Sequence, residues 1–271
     1  MRAAEVTAQQ AQADTTHRSQ TRPHRREFWE VDALRGLAVV MMVVYHLMYD
    51  LDFFGVSDAI FTHPFWFYFQ RTTASTFLLL VGVSLRLRYR KDLARHGRVA
   101  YAPFVRRGAT IFGWGLVITA VTWGALGAQW AIRFGILHFI GLATLTAYPF
   151  LRWRWPNLLL GLLFLAVGKM LQTKTFDRPW LVWLGFEPAG HTYVDYFPFI
   201  KWFGVVLLGI FAGSLLYGDT GRRFPFPNLT AWPPVQGLQW LGRRALPIYL
   251  LHQPLLLALL FGVLALAARQ P

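Results

Sequence analysis

The chain has no cysteine, few charged residues and very few acidic ones, and each shortage removes a class of protein. Without cysteine there is no disulfide framework, no thiolate metal site, no cysteine nucleophile and no acyl-thioester intermediate on the enzyme. Asp and Glu number 13 against 27 Lys and Arg, and charged residues make up 15% of the 271. So apolar a chain is not disordered. What is present instead is hydrophobic: 55% of residues, with 17% aromatic, 23 Phe and 12 Trp. That is too apolar for a water-facing surface, and a polytopic membrane protein is expected. The formal net charge of +14 also fits a nucleic-acid binder, so the positions of the basic residues must decide.

Residues 1–26 are polar, rich in Gln, Thr and Arg, and read as a flexible cytoplasmic tail without a cleavable signal. Residues 27–271 form one further unit. Apolar stretches recur at 33–51, 65–87, 107–127, 132–151, 157–173, 197–217 and 244–267. At roughly 20 residues per crossing these make an all-α transmembrane bundle of about seven helices. With the N-terminus inside, 19 of the 27 basic residues fall in inner segments. Arg133, Lys169, Lys174, Arg178, Lys201 and Arg269 face outward, and Arg35 and Arg71 lie within spans. This asymmetry predicts an N-in, C-out, multi-pass protein of the cell (inner) membrane, with the bilayer as partner and no nucleic acid. Gly209 and Gly213 form a GxxxG that suits close helix packing and permits a homodimer.

Ionisable groups inside spans are costly, which makes each a functional candidate. Asp32 and Arg35 share a face of the first helix and can pair as an anchor at the inner interface. His46 lies 13 residues beyond Ala33, roughly 20 Å into a layer of about 30 Å. Asp50 follows at i+4, and its carboxylate can orient the imidazole and raise its basicity. The alternative is a histidine used only for helix packing. Arg71, His138, Asp195 and Lys201 enter the same outer half from other helices, where one shared polar cavity would satisfy them together. In the last helix Pro247 and Pro254 bracket Tyr249, His252 and Gln253, which predicts a kink whose freed carbonyls need partners. The outer segment 174–196 holds Trp180, Trp183, Glu187, His191 and Tyr193, a composition suited to a sugar and equally to interfacial anchoring. There is no HExxH, GxSxG or P-loop, and no metal is expected. The eight basic residues between Arg86 and Arg107 set topology and bind anionic lipid, or grip the phosphates of a cytosolic cofactor.

The stretches WEVDALRGLAVVMMVVYHLMYDLDFFG, FWFYFQRTTASTFLLLVGVSL, FGILHFIGLATL, DYFPFIKWFGVVLLGIFAG and LGRRALPIYLLHQPLL together resemble the bacterial membrane domain related to the catalytic domain of heparan-α-glucosaminide N-acetyltransferase. The resemblance runs from about residue 27 to 265. It implies a transmembrane acyltransferase that passes an acetyl group from cytosolic acetyl-CoA to an amino or hydroxyl group of an outer sugar or glycoconjugate. The proposed catalytic histidine of the lysosomal enzyme lies in the first outer loop, shortly before a Trp. His63, followed by Trp66, is its counterpart by position, whereas His46 falls where that enzyme has an asparagine. Both histidines therefore stand as candidates, with His46 first because Asp50 supports it.

On this reading His46 deprotonates the acceptor, Asp50 orients it, and Arg71 or His138 stabilises the oxyanion. Asp195, Lys201, Tyr249, His252 and Gln253 are the expected acceptor-binding residues. Arg35, Arg86, Arg88, Arg106 and Arg107 are those expected for acetyl-CoA. A transporter or flippase would also place such groups mid-membrane, but it would show inverted repeats or paired broken helices. Only one interrupted helix is visible, at Pro247 to Pro254.

Overall fold

The structure, a computed structural model, describes residues 28–176, 178–190, 193–218 and 221–267. The tail expected over 1–26, together with His191 and Arg269, lies outside the described residues. Helix α1 spans Trp29–Phe53, with Glu30 and Asp32 in its first turn, where acidic groups suit the positive end of the helix dipole. A short α2 (Ala59–Thr62) precedes α3 (Pro64–His96). Pro64 opens α3 and Gly97, at φ 66°, closes it in the left-handed region. At 33 residues α3 is about 50 Å long, so its Arg-rich end projects beyond the hydrocarbon layer. There follow α4 (Ala102–Leu126), α5 (Ile136–Thr146), α6 (Trp155–Leu171), α7 (Phe199–Leu216), α8 (Pro233–Arg243) and α9 (Ala245–Ala267). A two-strand ribbon of β1 (Tyr217–Gly218) and β2 (Gly221–Arg222) follows α7.

Four helices, α1, α4, α7 and α9, are long and apolar enough to cross a membrane; α5 and α6 are shorter apolar helices. The seven expected spans correspond to α1, α3, α4, α5, α6, α7 and α9. The fourth differs from expectation. Instead of crossing over 132–151 it is an 11-residue helix, about 16 Å long, continued by a 3-10 turn at Tyr148–Phe150. Its residues Ile136–Gly141 are all buried, and irregular backbone beside it is tolerated because protein rather than lipid surrounds it. Between the stretches expected to span at 197–217 and 244–267, where no helix was expected, Pro233–Arg243 folds as α8.

The core gathers on α7, whose Val206, Leu207 and Ile210 are fully buried against Leu78, Phe104 and Phe139. By contrast α4 and α9 turn Leu116, Val121, Leu255 and Leu259 outward, as lipid-facing helices do. The basic ends of the helices meet at one end of the bundle. There Arg86 donates to the Leu151 carbonyl, Arg90 to the Tyr217 carbonyl, and Tyr148 to the Val99 carbonyl at 2.6 Å. Arg222 grips the buried Glu30 through two bonds of 2.7 and 2.6 Å, and the Tyr217 hydroxyl adds a third at 3.0 Å. The Glu30 carboxylate holds the Arg222 guanidinium above its ordinary range.

One helix pair positions the site. α8 and α9, separated only at Arg244, run parallel to α1 in constant register. Val235 packs with Trp29 and Ala33, Gly242 meets Gly36, His252 meets His46, and Phe261 meets Phe54. The two glycines permit the approach. A Cβ on Gly36 would strike the Leu238 carbonyl, and one on Gly242 the Asp32 carbonyl.

Candidate functional site

The parallel register brings two imidazoles together in the half of the bundle away from the arginine-rich end. His46 and His252 stand edge to face, with ring centroids 4.7 Å apart. His46 Nδ1 donates to the Met42 carbonyl at 2.8 Å, and His252 Nδ1 to the Tyr249 carbonyl at 2.7 Å. A carbonyl only accepts, so each Nδ1 carries its proton, and in the neutral ring each Nε2 keeps a lone pair. His252 Nε2 is buried and finds no hydrogen-bond partner among the described residues.

Asp50 does not bond His46 as the i+4 spacing suggests. Helical side chains lean toward the N-terminus, which carries the His46 ring back to Met42. The Asp50 carboxylate instead accepts from Gln253 Nε2 on α9 at 2.7 Å. Asp50 is 3% exposed; its Oδ2 and the Gln253 Oε1 are both buried acceptors without a donor among the described residues. Asp195 arrives from the chain before α7 with φ 47°, a left-handed conformation that Asp tolerates. It accepts from the Tyr249 hydroxyl at 3.0 Å and from the Ile136 amide, at the start of α5, at 3.3 Å. The same oxygen occupies the space a Cβ on Gly135 would need. Burial pushes the Asp195 carboxyl above the ordinary carboxylate range, while those two hydrogen bonds oppose the rise.

Six expected residues thus converge: His46, Asp50, Asp195, Tyr249, His252 and Gln253. Four others stand apart. Both ring nitrogens of His138 are engaged inside the α4 and α5 pair, Nδ1 by the Gly135 amide and Nε2 by Thr119, each at 3.2 Å. Thr119 Oγ1 itself donates to the Ile132 carbonyl, so it accepts from His138 Nε2–H and leaves that ring without a free position. Arg71 lies over the Phe67 ring at 3.9 Å, within electrostatic reach of Tyr45 and Lys201. Lys201 bonds Gln172 at 2.9 Å and faces Glu187, whose carboxyl burial pushes up and Lys201 pulls down. His63 is exposed at the start of α3, and its side chain makes no capping bond.

At the basic end, Arg107 on α4 lies within electrostatic reach of Arg88 on α3 and of Arg35 on α1. Arg35 is held by Asp32 at 2.8 Å and Ser84 at 2.7 Å, and Arg88 lies 3.6 Å from Asp92. Three guanidiniums facing two carboxylates form a net-positive concentration that suits phosphate groups. Arg86 is turned to the Leu151 carbonyl, and Arg106 is exposed. Sequence reasoning passed over Glu30 and Thr119, whose partners are remote or carry no motif. The meeting of His46 with His252 did leave a signal: Gly36 precedes His46 by ten residues, and Gly242 precedes His252 by ten.

With this geometry in view, the family is clear. A family model described as heparan-alpha-glucosaminide N-acetyltransferase, catalytic, matches residues 27–254. The chain belongs to that family. Neither the curated proteins nor the solved structures gave a match. Membership and the four apolar helices establish a membrane protein of acetyltransferase type.

Proposed function

We propose that this member of the family transfers an acetyl group from cytosolic acetyl-CoA to an amino or hydroxyl group of an extracytoplasmic sugar or glycoconjugate. The observation that carries the reading is the set of buried acceptors between α1 and α9. Asp50 Oδ2, Gln253 Oε1 and His252 Nε2 lack donors among the described residues, and an unmet buried acceptor costs about 1–3 kcal/mol. A group that brings N–H or O–H donors satisfies them, which describes the acceptor of an acetyl transfer. His46 Nε2 takes the proton as the nitrogen or oxygen attacks the thioester carbonyl. The carbon–sulfur bond breaks, and the coenzyme departs as a thiolate that is then protonated. Asp50, held by Gln253, keeps negative charge near the forming imidazolium. Arg35, Arg88 and Arg107 hold the phosphates of the donor, and Arg71 lies in the outer half beside Tyr45.

The test is acetyl transfer from labelled acetyl-CoA by the protein in sealed vesicles, with a panel of amino and neutral sugars outside. His46→Ala should lower kcat about 100-fold or more with unchanged Tm, and Arg107→Gln should raise KM for acetyl-CoA. Full activity in His46→Ala would remove that residue from the chemistry. Movement of the sugar without acetylation would point to the transporter or flippase instead.

A further inference from the structure

The arginines at the basic end stand beside a group of aromatic rings that the transfer chemistry leaves unused. Tyr148, in the 3-10 turn after α5, meets the rings of Tyr89 on α3 and Phe104 on α4 edge to face, with centroids 6.4 and 5.5 Å away. Tyr101, one residue ahead of α4, lies 4.7 Å from Tyr148 and is the exposed member of the group at 45%. Both hydroxyls are engaged across this junction, Tyr101 donating to the Leu145 carbonyl at 3.1 Å and Tyr148 to the Val99 carbonyl at 2.6 Å. The two rings are therefore fixed in place, and Tyr101 offers a rigid aromatic face. The guanidiniums adjoin the same group: Arg88 lies 5.5 Å from the centre of the Phe104 ring and Arg86 5.9 Å from that of Tyr89. Arg107 is in turn within electrostatic reach of Arg88 and Arg35.

Depth orders these groups. α4 runs away from the basic end, so Arg107, six residues after Tyr101, lies about 9 Å deeper. α1 runs the same way, and His46, eleven residues after Arg35, lies about 16 Å deeper again. From the basic end inward the order is aromatic platform, guanidiniums, histidine pair. We propose that Tyr101, backed by Tyr148, stacks the adenine ring of the acyl donor, and that this contact selects coenzyme A over donors that carry the acyl group on phosphopantetheine alone. The inference rests on the donor assigned under the proposed function and adds what distinguishes that donor. Coenzyme A presents adenine, phosphates, pantetheine arm and thioester in the same order as the platform, the guanidiniums and the histidines. A flat base suits an aromatic face, and the phosphates beside it suit the adjoining arginines. The phosphopantetheine of an acyl carrier protein has a phosphate for the arginines but nothing to lay on Tyr101.

The test is binding without turnover, by titration calorimetry on the full-length protein in detergent with coenzyme A and with phosphopantetheine. Coenzyme A should bind more tightly, and its own adenosine bisphosphate fragment should compete with it. Tyr101→Leu should weaken coenzyme A by about 5-fold to 100-fold, the range that loss of one stacked base spans, and leave phosphopantetheine unchanged. The unchanged ligand shows that the variant is folded. Tyr101→Phe keeps the ring without its hydroxyl and should bind coenzyme A as the wild type does. Equal affinity for the two ligands, wild-type binding of coenzyme A by Tyr101→Leu, or equal weakening of both ligands in that variant would each overturn the proposal while leaving the acetyl-transfer reading intact. Failure of the wild type to bind coenzyme A at all would overturn both.

Discussion

At the scale of single residues, the two halves of the protein use polar side chains in opposite ways. Glu30 is 6% exposed and has all its charge met, by two bonds from Arg222 and one from Tyr217. Asp50 is as deeply buried yet keeps one oxygen without a donor among the described residues. The first pattern is that of a structural clamp, and under the proposed function the second is where the acceptor of the acetyl group supplies the missing donor. Removing a partner from a buried pair costs about 3–5 kcal/mol, discounted here because the Arg222 side chain is 25% exposed. Glu30→Ala should therefore lower Tm by several degrees and leave the KM for the acceptor unchanged. Asp50→Asn should do the reverse, keeping Tm and losing turnover. Thermal unfolding and steady-state kinetics on the same preparations separate the two roles.

At the scale of elements, the site depends on the register between α1 and the α8 and α9 rod. Ten residues separate Gly36 from His46 and Gly242 from His252, so two parallel helices touching at their glycines must bring the imidazoles level. Gly36→Val forces the side chain against the Leu238 carbonyl, which should part the helices, lower Tm and reduce transfer at a site 15 Å away by the helical rise, a figure of about ten residues at 1.5 Å each. Gly237→Ala, on the open side of α8 with nothing within 4 Å, is the control. It should be neutral or stabilising by roughly 0.5–1 kcal/mol through helix propensity. Equal effects of the two substitutions would show that the close approach does not matter. The short α5 makes the complementary point. It carries His138 deep into the bundle, but it encloses the ring between Gly135 and Thr119 rather than presenting it.

At the scale of the whole molecule, the gathering of basic helix ends on one side agrees with the charge asymmetry along the chain. The N-in orientation can be checked directly because any introduced cysteine is unique. In right-side-out cells, Val56→Cys should react with a membrane-impermeant thiol reagent, and Arg98→Cys only after permeabilisation. The opposite labelling would invert the topology and move the histidine pair to the cytosolic half. The all-helical, membrane-embedded character was legible because an apolar run of spanning length has few alternatives in lipid. The fourth run was not, since composition cannot tell a crossing helix from a short one wrapped by protein. Similarly, α8 was obscured by prolines that read as a loop but stand at its first turn, where they are tolerated.

The sequence by itself determined that the chain lives in a membrane, which end is basic, and that polar residues such as Asp50 and His252 are buried there, because hydrophobicity and charge act locally and leave a linear record. It also carried the family, through motifs spread over nearly the whole chain. The pairing of those polar residues was decided only by tertiary structure. Asp50 bonds Gln253 rather than His46, His46 lies against His252, and Asp195 reaches Tyr249 and the first turn of α5. Such contacts depend on how helices far apart in sequence rotate and slide until small residues let their backbones touch, and that fit is a property of two surfaces together.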